Sequence, residues 1–184
     1  MRWWQAYATC KKCLLKIMAN LKALYQEVIL EHNKKPRNFG VVTAATHHAA
    51  GHNPLCGDHL EITLAMQDEH IHEIAFTGES CAICKSSASM MTVAVKGKPR
   101  ADAEILIQEF LEMTTGKLDL SVPENAQKLT HIGRLKIFAG VAELPTRVKC
   151  AILPWHTLHA AFASVAEIST ESEFDPMHAP IGDA

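Results

Sequence analysis

Apolar positions along the chain switch between two periods. Over 20–34, Leu21, Leu24, Tyr25, Val28 and Ile29 fall on one stripe. That spacing predicts an amphipathic helix with Asn20 as its N-cap and Pro36 as its stop. From 59 to 66 the period drops to two, with Leu60, Ile62, Leu64 and Met66 on one side, the mark of a half-buried strand. Gln67, Asp68 and Glu69 read as a turn into a second alternating stretch, about 70–77, carrying Ile74 and Phe76. The two stretches predict a hairpin. Residues 37–58 between helix and hairpin are polar, and read as a loop holding His47, His48 and His52.

Past Gly78 the pattern turns helical. Small residues with Met90, Met91, Val93 and Val95 predict a closely packed helix over 82–96, stopped by Gly97 and Pro99. Asp102 is expected to cap a helix to about Thr115, with Leu106, Phe110 and Met113 inward and Gly116 beyond its end. A loop with Pro123 and a helix over 125–139 follow. Ala151, Trp155, Leu158, Phe162 and Val165 form the clearest stripe of all. Pro154 interrupts it, and a helix beginning near Lys149 is expected to kink there or start later. Helix, hairpin and a run of helices predict an α+β fold, a small antiparallel sheet packed against several helices.

Composition narrows the function classes. The chain has 184 residues, 48% apolar and 21% charged, enough for one domain with a real core. The domain is placed at 18–168, with a polar tail over 169–184. A formal charge of −2 argues against a nucleic-acid binder. No apolar run is long enough to span a bilayer. Residues 1–17 are basic and free of acids. They read as an extension ahead of a natural-looking start at Met18, with a genuine helical extension or an organellar presequence as alternatives.

The six cysteines are Cys10, Cys13, Cys56, Cys81, Cys84 and Cys150. Lysines break the apolar part of the opening segment, so it does not read as a secretory signal. A reducing, cytoplasmic home follows, where clustered cysteines serve metal or sulfur chemistry more often than disulfides. Cys10 and Cys13 lack partners at zinc-finger spacing.

The chemistry concentrates in Asn53-Pro-Leu-Cys56-Gly57-Asp58. A thiol and a carboxylate flank a glycine, which lets the backbone turn both toward one point. If the strands pair as a hairpin, Cys81 at its far end returns beside this loop. Cys150 is expected at a helix N-terminus, which favours a thiolate. Three thiolates and a carboxylate suit tetrahedral Zn²⁺, and Arg147 and Lys149 beside Cys150 offset their charge. The same residues also read as buried small side chains and a turn aspartate.

Four blocks in order, 24–40 (LYQEVILEHNKKPRNFG), 53–58 (NPLCGD), 81–92 (CAICKSSASMMT) and 140–158 (GVAELPTRVKCAILPWHTL), resemble the iron–sulfur cluster assembly proteins of the SufU, IscU and NifU N-terminal-domain type. The resemblance spans roughly 18–165 and is strongest to the SufU branch. It implies a metal site of Cys56, Asp58, Cys81 and Cys150, and a cysteine desulfurase of the SufS kind as partner. In the IscU branch a histidine precedes the third cysteine, next to a chaperone-binding Leu-Pro-Pro-Val-Lys motif. Here Lys149 precedes Cys150 and the stretch reads LPTRVKC.

The likeness implies a zinc-bound, sulfurtransferase-like acceptor of persulfide sulfur on Cys56, with Asp58 as the weakest ligand keeping the site labile. Downstream partners would be iron–sulfur assembly or apo-proteins. Two alternatives use the same residues: a scaffold that binds iron and builds a transient [2Fe–2S] cluster, and a structural zinc domain for protein interaction. Departures from the family are Cys84, where serine is usual, Ser80 for glycine, and Pro154 inside the last helix. Cys81 and Cys84 could form a thioredoxin-like redox pair only in a parallel-sheet setting, which the hairpin contradicts. Cys84 reads as a buried serine-like residue, Met90 and Met91 as core, and the loop histidines as solvated. His156 and His159 are expected at the surface or edge.

Overall fold

The computed structural model describes residues 26–118 and 122–171. The readings made for residues 1–17, Cys10, Cys13, Asn20, Leu21, Leu24, Tyr25 and the tail past 171 lie outside them. Helix α1 covers 26–34 of the described chain and stops before Pro36. Strands β1 (His47–Asn53), β2 (Asp58–Gln67) and β3 (His70–Glu79) follow, then α2 (Ala82–Val95), α3 (Arg100–Thr114), α4 (Ala126–Ile132), α5 (Pro145–Phe162) and β4 (Glu167–Ser169). The strands form one sheet in the order β3-β2-β1-β4. Among these strands β1 and β4 pair parallel and the other neighbours antiparallel. The α+β fold is the expected one, and the β2–β3 hairpin stands where the alternation put it.

The sheet is larger than the sequence pattern implied. β1 was expected as loop, because its inward positions carry Ala49 and Gly51, too small to register as a hydrophobic stripe. Their size has a cause. A Cβ on Gly51 would lie 2.0 Å from Thr157 Oγ1 and 3.1 Å from Leu153 Cδ1. α5 therefore lies directly against β1, and only a bare backbone fits beneath it. β4 is short and mostly polar, and pairs with β1 through Gly51 and Ile168.

The inner face of the sheet, with Leu60, Ile62, Leu64, Ile74 and Phe76, is buried under α5 and α2. Trp155 of α5 stacks on Phe110 of α3 with centroids 4.2 Å apart, and Phe110 meets Phe138 edge-on. The small residues of α2 allow close approach to α5. Ser87 Oγ donates to the Ala151 carbonyl at 2.7 Å and accepts from Trp155 Nε1 at 3.0 Å. Ser89 accepts the Arg37 backbone N–H at 2.8 Å and bonds His32 Nδ1 at 2.8 Å, tying the end of α1 to α2.

Three helix limits differ from the expectation. Gly133, at φ +55°, ends α4, and residues Gly133–Glu143 continue as 3-10 turns rather than one helix through 139. α3 begins at Arg100, so Asp102 lies in its first turn rather than at its cap. α5 begins at Pro145, where proline's fixed φ and missing N–H suit a first turn, and continues through Pro154. Cys150 thus lies beyond the first turn of α5, so the helix-end effect expected to favour its thiolate does not reach it. Among the described residues no helix is long and apolar enough to cross a membrane.

Candidate metal centre

The β1–β2 connection builds the site. The Asn53 carbonyl accepts the N–H groups of Cys56 at 3.2 Å and Gly57 at 2.9 Å. The Asn53 side-chain oxygen takes the Leu55 N–H at 3.2 Å. Gly57 sits at φ +70°, a left-handed conformation that brings the chain round sharply. The turn presents Cys56 outward and returns Asp58, paired across the strands with Asn53, to the buried face. α5, held on β1 by the Gly51 contact, delivers Cys150 from above.

Cys56, Asp58 and Cys150 bring one ligand atom each to within 4.8 Å of one another. The Cys150 thiol donates to Cys56 Sγ at 3.1 Å. Cys81 is the N-cap of α2, and its backbone N–H donates to Asp58 Oδ1 at 2.6 Å. Its thiol is not part of the three-residue group, but its charge acts on both Cys150 and Arg147. Arg147 reaches over the site with Nη1 3.9 Å from Cys56 Sγ. Lys149 turns away and pairs with Glu171.

Burial divides the thiols. Cys56 is half-buried, whereas Cys150 and Cys84 are fully enclosed. Burial pushes the Cys150 thiol well above the ordinary thiol range, helped by its bonds to Cys56 and Asp58 and by the charges of Cys81 and Asp58. Cys84 is raised by burial first, then by Asp58 and Cys81. Arg147 is held above its usual value first by its hydrogen bond to Cys150 and then by its charge interactions with the neighbouring cysteines.

One contributor was not singled out from the sequence. Asn53, with no exposed surface, aims Nδ2 at Asp58 Oδ2 (3.4 Å) and at Cys150 Sγ (3.5 Å). Its oxygen also accepts the Thr170 hydroxyl at 3.2 Å. An asparagine whose side chain takes the N–H two residues on is a recognised way to open a turn, but its reach to a sulfur on another element depends on tertiary packing.

Residues 24–167 match the NifU-like N terminal domain. The chain belongs to that family. Among relatives of this NifU-like chain is the zinc-dependent sulfurtransferase SufU of Bacillus subtilis (strain 168), 37% identical over 146 residues, covering 79% of this chain and 93% of that protein. The iron–sulfur cluster assembly scaffold protein IscU of Streptococcus pyogenes serotype M1 is 37% identical over 145 residues, covering 78% and 86%. A crystal structure from Fervidobacterium islandicum AW-1, described as an iron–sulfur cluster assembly scaffold protein for the SUF system, superimposes with a TM-score of 0.66. It is 29% identical and covers 73% of this chain and 93% of that one.

The donor set of this NifU-like site fits a borderline-soft ion. Two sulfurs held by one tetrahedral zinc at about 2.3 Å lie roughly 3.8 Å apart, so the observed 3.1 Å needs only a small side-chain rotation. Asp58 accepts the Cys81 N–H on Oδ1 at 2.6 Å and the Asn53 amide on Oδ2 at 3.4 Å, while one of its oxygens lies within 4.8 Å of both sulfurs. The expected burial of Cys84, Met90 and Met91 is found. His47, His48 and His52 lie on strand β1 rather than in a solvated loop.

Proposed function

We propose that this chain is an iron–sulfur cluster assembly protein that accepts persulfide sulfur from a cysteine desulfurase, with Cys56 as the acceptor. Cys56, Asp58, Cys81 and Cys150 would hold Zn²⁺, which keeps bound thiols in their thiolate form at neutral pH. The observation that carries the reading is the unequal burial of the paired thiols. Of Cys56 and Cys150, 3.1 Å apart, only Cys56 is open to a partner's sulfur.

The chain's own residues supply the rest. Cys56 attacks the outer sulfur of the partner's persulfide. A new S–S bond forms on Cys56 as the partner's S–S bond breaks, and the partner's cysteine leaves as a thiolate. The Arg147 guanidinium places a positive charge beside Cys56 throughout. Asn53 steadies Asp58 and Cys150 from the buried side. Leu55 and Leu144, 63% and 54% exposed, stand at the Cys56 turn and at the head of α5, and give a docking partner apolar surface at the reacting thiol. Such sulfur transfer takes place in the cytoplasm, and its product serves downstream assembly proteins.

The test is desulfurase turnover in the presence of the purified chain. Stimulation that disappears in Cys56→Ala, with persulfide mass found on the Cys56 peptide of the unaltered protein, supports the proposal; undiminished stimulation removes it. The identity to a cluster scaffold favours one second reading, in which the same residues build a [2Fe–2S] cluster. Anaerobic reconstitution with iron and sulfide that yields a stable, transferable chromophore would establish that reading.

A further inference from the structure

The outer face of the sheet is open at one end. At the other, Val42 closes over it, with its N–H on Thr63 Oγ1 at 3.0 Å. The open end carries an ordered row of side chains. His52 of β1 lies directly opposite His59 of β2. His59 in turn lies opposite Glu79 of β3. On the far side, Glu167 of β4 brings Oε1 to 3.6 Å from His52 Nδ1. Two histidines therefore stand opposite one another, His52 with a carboxylate beside its ring and His59 with Glu79 as its other cross-strand partner. All four project away from the face that buries Asp58 and Cys150, since His52 and His59 alternate with the inward Asn53 and Asp58.

We propose that His52 and His59 form a second metal site, for a borderline divalent ion of the zinc, nickel or cobalt kind. Directly opposed residues on antiparallel strands have Cβ atoms about 5 Å apart, which lets two rings close on one ion. Imidazole is the side chain these metals favour among nitrogen donors. The position of Glu167 assigns the nitrogens: its carboxylate faces Nδ1 of His52, leaving Nε2 for the metal. A carboxylate behind a ligating imidazole fixes the ring tautomer and raises its basicity. Glu79 stands in the corresponding cross-strand position for His59. Two imidazoles would leave the remaining coordination positions to water, so the ion would exchange readily. This site shares no ligand with the thiol centre and does not depend on the sulfur-transfer reading. A bound ion would join β1 to β2 one residue pair beyond the turn that carries Cys56.

The full chain, labelled with ¹³C in the histidine rings and first given one equivalent of Zn²⁺, is titrated with more Zn²⁺ and followed by NMR. The ring signals of His52 and His59 should move together and saturate at one further ion per chain, while those of His48 and His72, on the same protein surface, stay in place. His52→Gln should abolish the saturable shift of His59, and His59→Gln that of His52. Glu167→Gln should weaken binding roughly tenfold. The unmoved His48 and His72 signals report that each variant is folded. Ring signals of His52 and His59 that stay put, or drift no more than those of His48 and His72, overturn the proposal. If the thiol centre took no zinc, the rings of His52 and His59 would move with the first equivalent rather than the second, so failure of that centre and failure of this site give different titrations.

Discussion

The side-chain amide of Asn53 lies 3.5 Å from the sulfur of Cys150, which is 97 residues further along the chain. The same amide is 3.4 Å from Asp58, and its oxygen holds both the turn and Thr170. One buried side chain thereby sets the relative positions of a carboxylate, a helix and the last strand.

Asn53→Ala is expected to remove the amide from Asp58 and Cys150, both buried contacts. Losing such partners in a buried setting costs about 1–3 kcal/mol. The thermal midpoint should fall, and zinc affinity measured against a chelator should drop about 10- to 100-fold, as for other residues that orient ligands. An unchanged affinity with a lowered midpoint would reduce Asn53 to a purely structural role.

The thiols of the metal-free protein should alkylate in a fixed order. Cys56 is half-exposed, whereas Cys150 and Cys84 are enclosed and held protonated by burial. Iodoacetamide at neutral pH should therefore label Cys56 well before Cys150 or Cys84, as read by peptide mass spectrometry. Equal labelling of Cys150 and Cys56 would contradict the arrangement.

Gly51→Ala should destabilise the fold by about 1–3 kcal/mol, the usual cost of overpacking, because its Cβ would meet Thr157 Oγ1 at 2.0 Å. Thr157→Ala removes that atom and one bond within α5, to the Leu153 carbonyl. The double variant should then be more stable than the sum of the two single losses. Urea denaturation of the four proteins measures this coupling, and strict additivity would refute the contact.

His32 and His159 are both held below the ordinary histidine value, in each case first by burial. Nδ1 of His159 is buried without a hydrogen-bond partner. Above about pH 6.5 both rings are neutral folded or unfolded, and contribute no pH dependence. As pH falls below that value the unfolded chain takes up protons that the folded chain refuses, so stability declines. His159→Gln should flatten the fall in urea midpoint between pH 7.5 and 5.5 in metal-free protein. A slope equal to that of the unaltered chain would exclude this histidine.

The elements with strong periodicity were legible from residues alone. β2, β3 and the stripe of α5 appear because large side chains on their inner faces repeat at the period of the element, whereas α2 shows as a run of small residues and methionines closed by Gly97 and Pro99. β1 was illegible for the opposite reason: its inward positions are small to admit α5, so its pattern resembles a loop. The 125–139 helix failed at Gly133, where a positive φ breaks a pattern that periodicity carries straight through. Within the site, Cys56 and Asp58 share one turn and could be paired by spacing. Cys150 came from the resemblance and from its neighbours, and the contact of Asn53 with it required the packing of α5 on β1. Lys149, adjacent to Cys150 in the chain, faces Glu171 instead, because neighbouring helical residues point in different directions.

The pairing of β4 with β1, and of Thr170 with Asn53, reaches back from the end of the described chain to the cysteines. A fragment cut after Phe162 would retain each of the four candidate ligands while losing one wall of their enclosure. Anyone choosing where to fuse a reporter or shorten this protein should treat residues 167–170 as part of the working centre.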